Sequence, residues 1–212
     1  VAFSPDGTTI ATAGDDNALR ISDVKTRKTQ RIPAGDFSVK SVAFSPDGKQ
    51  IVAGTWDSRV KVLDAHTGAL KTELDAAGST IHQAVFSPRG DTVLYGTENR
   101  SLHTWDLAAT GSVLSFQGSA TRAITFSPDG RTFVVGSADR RIRVWTRGQH
   151  GPPRMLSAHT DEITSLAMAP DGKTFASASM DNSVRIWDIE TGKEITFFKS
   201  DHGDVNSVAF SP

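Results

Sequence analysis

Ser177, His159 and Asp181 are the residue types of a nucleophile, a general base and an orienting acid, and they lie close together in the chain. A hydrolytic role would need the serine hydroxyl open to a substrate, so the elements that carry these residues decide the matter. Histidine offers a second chemistry. His66, His82, His103, His150, His159 and His202 are scattered, and no pair has ligand spacing on one element, so no metal is expected. A third is the basic cluster Arg140, Arg141, Arg143 and Arg147. Arg141 and Arg143 alternate with Ile142 and Val144 as the outward face of a strand, and no aromatic stacking series accompanies them, which argues against nucleic acid. The chain has no cysteine, hence no thiol nucleophile or disulfide, and it shows no glycine-rich phosphate loop. No cofactor is expected.

Charge and hydropathy narrow the partners. With 23 basic and 24 acidic residues the net charge is −1, so no overall field favours nucleic acid or an anionic membrane. No apolar run approaches the roughly 18 residues of a membrane span. The chain begins without Met and inside its first motif, so a preceding segment is expected.

The motif is Val-Ala-Phe-Ser-Pro-Asp-Gly. Measured at its aromatic or Met position, it falls at Phe3, Phe44, Phe86, Phe126, Met168 and Phe210, with spacings of 41, 42, 40, 42 and 42 residues. Such periods belong to propellers and arrays. Alternation within residues 163–199 reads as four strands, Ile163–Met168, Thr174–Ser179, Val184–Asp188 and Glu194–Phe198, joined by hairpin-length turns. Two columns show packing. Third strands carry paired apolar residues (Leu19 and Ile21, Val60 and Val62, Ile142 and Val144, Val184 and Ile186), with Leu102 and Thr104 a poorer fit. Second strands keep a small residue at Ala13, Gly54, Gly96, Gly136 and Ala178, so something large must press there. Sheets apolar on both faces need a neighbour on each side, and stacked radially they make an all-β propeller of four-stranded antiparallel blades.

These residues resemble the WD-repeat family over the whole chain. Trp105-Asp106 and Trp187-Asp188 close third strands as the family dipeptide does, and Trp145-Thr146, Leu63-Asp64 and Ser22-Asp23 are degenerate copies. Trp56-Asp57 is a decoy, because Asp57 aligns with the turn residues Asp16, Asn99, Asp139 and Asp181, which leaves Trp56 on a loop. Blades are expected at about 1–37, 38–78, 79–119, 120–160 and 161–201, with 202–212 as the first strand of a sixth. Val1–Phe3 and Val208–Phe210 claim the same strand position, so the five blades do not close on themselves. The resemblance implies a seven-bladed parent ring, roughly 290 residues, of which this chain is a slice.

The resemblance also implies a hydrogen-bonded chain through His159, Ser177, Asp181 and Trp187, a structural network rather than a catalytic triad. Only the fifth repeat keeps all four members; Ala53, Tyr95 and Val135 stand where the hydroxyl belongs in repeats two to four. Carried over residue by residue, the family's partner-binding top face comprises Asp15, Trp56, Glu98, Ala138 and Met180, with Lys40, His82, Arg122 and Thr164, and with Ser38, Thr80, Ala120 and Glu162. Asp204 and Asn206 would be the sixth-blade equivalents. Trp56 stands out as a large aromatic on a short polar loop, either a binding anchor or a side chain folded over the blade edge. Lys40, His82 and Arg122 would suit an acidic partner, or are simply solvated. The resulting expectation is a non-catalytic protein-interaction scaffold presenting rigid loops to a protein or peptide. Similar bacterial arrays accompany a kinase, protease-like or NTPase module, which implies a larger multidomain parent. The alternative is an enzymatic or ligand-binding propeller with its site at the central channel.

Overall fold

The computed structural model describes residues 1–33, 37–76, 78–108, 113–117, 120–147 and 151–211. His150, one of the six histidines, lies outside them. Every regular element among the described residues is a β-strand. The chain divides into two compact units, 1–118 and 119–212.

The first unit holds three sheets. β1 (Ala2–Phe3), β2 (Thr9–Ala13), β3 (Ala18–Asp23) and β4 (Thr29–Pro33) form the first, and β5 (Val39–Phe44), β6 (Gln50–Thr55), β7 (Arg59–Asp64) and β8 (Leu70–Asp75) the second. The third consists of β9 (Ile81–Phe86), β10 (Thr92–Thr97), β11 (Ser101–Asp106) and β12 (Val113–Gln117). The second unit holds β13 (Thr121–Phe126), β14 (Thr132–Ser137), β15 (Ile142–Thr146) and β16 (Arg154–Leu156), then β17 (Ile163–Met168), β18 (Thr174–Ser179), β19 (Ser183–Asp188) and β20 (Glu194–Lys199). Each sheet is an antiparallel meander in chain order.

The turns explain why short strands persist. In the Ser-Pro-Asp-Gly turn, the Ser4 hydroxyl donates to Asp6 over 2.6 Å and accepts the Thr9 N–H over 2.9 Å, and Ser45 and Ser127 repeat the pattern. Gly7, Gly48 and Gly130 sit at φ +69°, +70° and +67°, a region where a side chain is strained. The third repeat reorders the turn to Ser87-Pro88-Arg89-Gly90-Asp91, and Ser87 reaches Asp91 instead, over 2.7 Å. At the other turn, the last Asp of the third strand becomes a cap. Asp188 accepts the N–H and hydroxyl of Thr191, both at 2.7 Å, and Asp64 does the same for Thr67 at 2.9 and 3.0 Å.

Alternation along a strand divides its side chains between two cores. On β6, Ile51 and Ala53 join Ala11, Leu19, Ile21 and Ile32 of the first sheet, whereas Val52 joins Ile81, Val93, Tyr95 and Trp105 of the third. In the second unit Val134, Ile142, Val144 and Leu156 pack with Ile163, Phe175 and Trp187. The small column is explained by these contacts. A Cβ on Gly54 would stand 2.5 Å from Ile81 Cγ2, and one on Gly136 would collide with Ile163 in the same way.

Residues 204–211 differ from expectation, because they form no strand. They still touch the end of β18 and the side of β17: Val205 N–H donates to Ser179 O over 3.2 Å, and Val208 N–H to the Ser165 hydroxyl over 3.3 Å. A strand is defined by its ladder, and no described segment pairs with this one. On β20, Phe198 has the register of Ile32 and Leu156, each opposite the first apolar residue of its third strand, yet Phe198 is 61% exposed.

Candidate interaction surface

The three residues of triad type do meet, in a buried chain of hydrogen bonds. The Trp187 indole N–H donates to Ser177 Oγ over 2.8 Å. His159 places Nε2 2.7 Å from Ser177 Oγ and Nδ1 2.8 Å from Asp181. A carboxylate only accepts and an indole only donates, so His159 donates from Nδ1 and Ser177 donates to Nε2. The order resembles a triad, but Ser177 is 0% exposed and its oxygen already accepts the indole proton. The arrangement therefore binds a Trp to a turn rather than presenting a nucleophile. Burial pushes the His159 imidazole below its ordinary value despite the pull of Asp181, which keeps it neutral. Burial by itself would raise the Asp181 carboxyl; the Ser183 hydroxyl, the Thr160 N–H and His159 together hold it down at about 2.

The other repeats tie the same turn with different residues. Arg20 and Arg143, two positions before the dipeptide, form bidentate pairs with Asp16 and Asp139. In the second and third repeats, Thr55 and Thr97 donate to Asp57 and Asn99 and accept the N–H groups of Arg59 and Ser101, so each turn is closed by a hydroxyl. Arg143 corrects the expectation of an outward basic face. Its side chain is only 12% exposed and lies 2.5 Å from Asp139, so it folds back onto the turn four residues before it. Among the described residues there is no group of three or more His, Asp or Glu placed to hold a metal.

The loops that precede the third strands are fastened by a bond recurring in four sheets. Trp56, Glu98, Ala138 and Met180 donate their N–H groups to the carbonyls of Ser38, Thr80, Ala120 and Glu162 over 2.9–3.0 Å. Beside them, Lys40, His82, Arg122 and Thr164 are each the residue skipped by a register shift in the ladder. A bulge of this kind turns a side chain away from its normal face. All four are engaged. Lys40 lies 2.8 Å from Asp15, His82 contacts Glu98, Arg122 lies 3.1 Å from Glu162, and the Thr164 hydroxyl donates to the Val205 carbonyl. Spacing alone does not disclose these pairings, since the partners are 16 to 41 residues apart.

Trp56 is 55% exposed, so its ring is not folded away over the sheet. The Lys40 ammonium sits 4.8 Å from the ring centroid, and the Thr80 hydroxyl donates to the Trp56 carbonyl over 3.4 Å. Met180, in the equivalent position of the second unit, is 40% exposed.

Recurrent four-stranded meanders, packed face to face and held at their turns by Ser-His-Asp-Trp or Arg-Asp ties, define a tandem-repeat all-β protein. The model of the WD domain, G-beta repeat, matches residues 1–23, 27–64, 111–146 and 151–188, more than half of the sequence. The chain belongs to the WD-repeat family. Strands β9 to β11 fall outside the matched segments but form a four-stranded meander like the others, with the turn reordered at Gly90-Asp91. No curated protein matches the chain. WD-repeat proteins are generally non-catalytic and commonly mediate protein–protein interaction.

Proposed function

We propose that the chain is a non-catalytic interaction scaffold that holds a protein or peptide partner on the loops preceding its third strands, with Trp56 as the principal contact and Lys40, His82, Glu98 and Asp15 around it. The observation that carries this reading is the half-exposed Trp56 ring on a loop clipped to Ser38 at 3.0 Å. Tryptophan is among the residue types that most often anchor an interface, and this one is held in place with about half of its surface open. The recurring N–H to carbonyl clip keeps the loops from rearranging, and a surface ordered in advance loses little entropy on binding. Arg122, Glu162, Thr164 and Met180 form the corresponding surface of the second unit.

The test is affinity capture with the wild-type chain, Trp56→Ala and His66→Ala, the last being an exposed residue on a β7–β8 turn. Partners retained by wild type and His66→Ala but lost by Trp56→Ala support the reading. Equal capture by all three overturns it.

A further inference from the structure

The surroundings of Trp56 carry a more specific conclusion, which rests on the scaffold reading. Contacts run without a break across the three sheets of the first unit. Asp15 holds Lys40, Lys40 covers Trp56, the Trp56 carbonyl accepts from Thr80, the Thr80 carbonyl accepts from Glu98, and Glu98 holds His82. Along this line Lys40 and His82 are the recessed members of their pairs. The Lys40 and His82 side chains are 29% and 23% exposed, whereas those of Asp15 and Glu98 are 83% and 55% exposed. The outermost charged atoms on this line are therefore the carboxylates of Asp15 and Glu98. An approaching ligand meets the half-exposed Trp56 ring and the two exposed carboxylates at either end of this line.

We infer that the segment docking on this surface is basic, and that it places an arginine or lysine side chain against the Trp56 ring between Asp15 and Glu98. The chemistry is complementary at both ends of such a side chain. An aromatic face attracts a cation through its quadrupole, most strongly for an indole, and Lys40 already uses the ring in this way. A guanidinium stacked on the ring keeps its N–H fork directed outward, where carboxylates accept in pairs. The aliphatic stem covers the apolar ring edge. An acidic segment would instead meet Asp15 and Glu98 first and would have to displace them to reach Lys40 and His82.

The probes are capped decapeptides of arginine, lysine and glutamate, titrated into the whole chain while the Trp56 indole N–H resonance is followed, its assignment taken from Trp56→Phe. The expected result is that the arginine and lysine peptides shift this resonance, and that binding, followed by the backbone amide resonances, weakens at least ten-fold in Trp56→Ala and in the isosteric pair Asp15→Asn, Glu98→Gln. The glutamate peptide should leave it unmoved. Basic peptides that bind without disturbing Trp56, a glutamate peptide that shifts it, or wild-type affinity in the carboxamide pair would each overturn the inference. The scaffold reading fails separately. If partner capture depends on Trp56 but survives Asp15→Asn with Glu98→Gln, the scaffold stands and the basic segment falls; if capture is indifferent to Trp56, the scaffold itself falls.

Discussion

The Ile81 side chain closes over Gly54: a Cβ on the glycine would stand 2.5 Å from Ile81 Cγ2 and 3.0 Å from its Cβ. One residue begins the first strand of a sheet and the other lies in the second strand of the sheet before it, so the pair keys two sheets together. Gly54→Ala should therefore destabilise the first unit by about 1–3 kcal/mol, the usual cost of overpacking. Urea unfolding measures it. Adding Ile81→Leu, which lacks the Cγ2 methyl that the new Cβ would strike, should recover part of the loss, and additive losses would show that the two side chains do not compete for the same space.

His159→Ala removes the centre of the buried polar chain and leaves Ser177 and Asp181 each short of a partner. The expected cost is about 1–3 kcal/mol, against less than about 0.5 kcal/mol for the exposed His66→Ala. Hydrogen exchange should localise the difference, with protection of β18 and β19 falling only in the first variant.

The pH dependence of His159 has a definite sign. Its folded value lies below the ordinary 6.5, because burial disfavours the charged ring. Below 6.5 the unfolded chain binds a proton that the folded chain resists, so this contribution to stability is intact above that pH and declines as the pH falls through it. Urea midpoints between pH 7.5 and 5 should drop more steeply for wild type than for His159→Asn; parallel curves would be inconsistent with a neutral buried imidazole.

Carboxylates at the Thr-Gly turns act in a lower window. Asp64 is held down at about 2, chiefly by the Thr67 N–H and hydroxyl, and Asp188 is lowered by the same groups of Thr191. Depressed folded values mean that the stabilisation is present above about 3.8 and is lost as the pH falls toward 2. Circular dichroism during acid titration should show a smaller loss over that window in Asp64→Asn than in wild type.

Arg140 tests backbone strain rather than contact. With φ at 69° it occupies the left-handed region, as do Asn17, Ser58, Arg100 and Asn182 at the same place in their repeats. Its side chain is exposed, so Arg140→Gly should raise stability by about 1 kcal/mol or slightly less. A lower urea midpoint for the glycine variant would mean that Arg140 contributes a contact outweighing the strain.

What could be read directly from the residues is local. Hairpin-length spacing between alternating runs places Thr174–Ser179 beside Ser183–Asp188, because turn chemistry and a two-residue side-chain period leave one register that buries Phe175 and Trp187 together. The column of Gly54 and Gly136 likewise announces a large neighbour, since glycine inside a strand is otherwise unfavourable. The decoy Trp56 is separable from the true dipeptides by counting from the turn.

Three-dimensional packing decided what lies across sheets. Alternation identifies Arg143 as facing away from Ile142, but only the folded turn brings Asp139 back to meet it. Periodicity aligns Lys40, His82 and Arg122 in one column, but the bulges that turn them, and the carboxylates of Asp15, Glu98 and Glu162 that meet them, depend on how ladder register and neighbouring loops come together. Side-chain period and turn type are properties of a few consecutive residues and survive in one dimension. Charge pairing depends on distances between segments far apart in the chain, and those exist only once the sheets have packed.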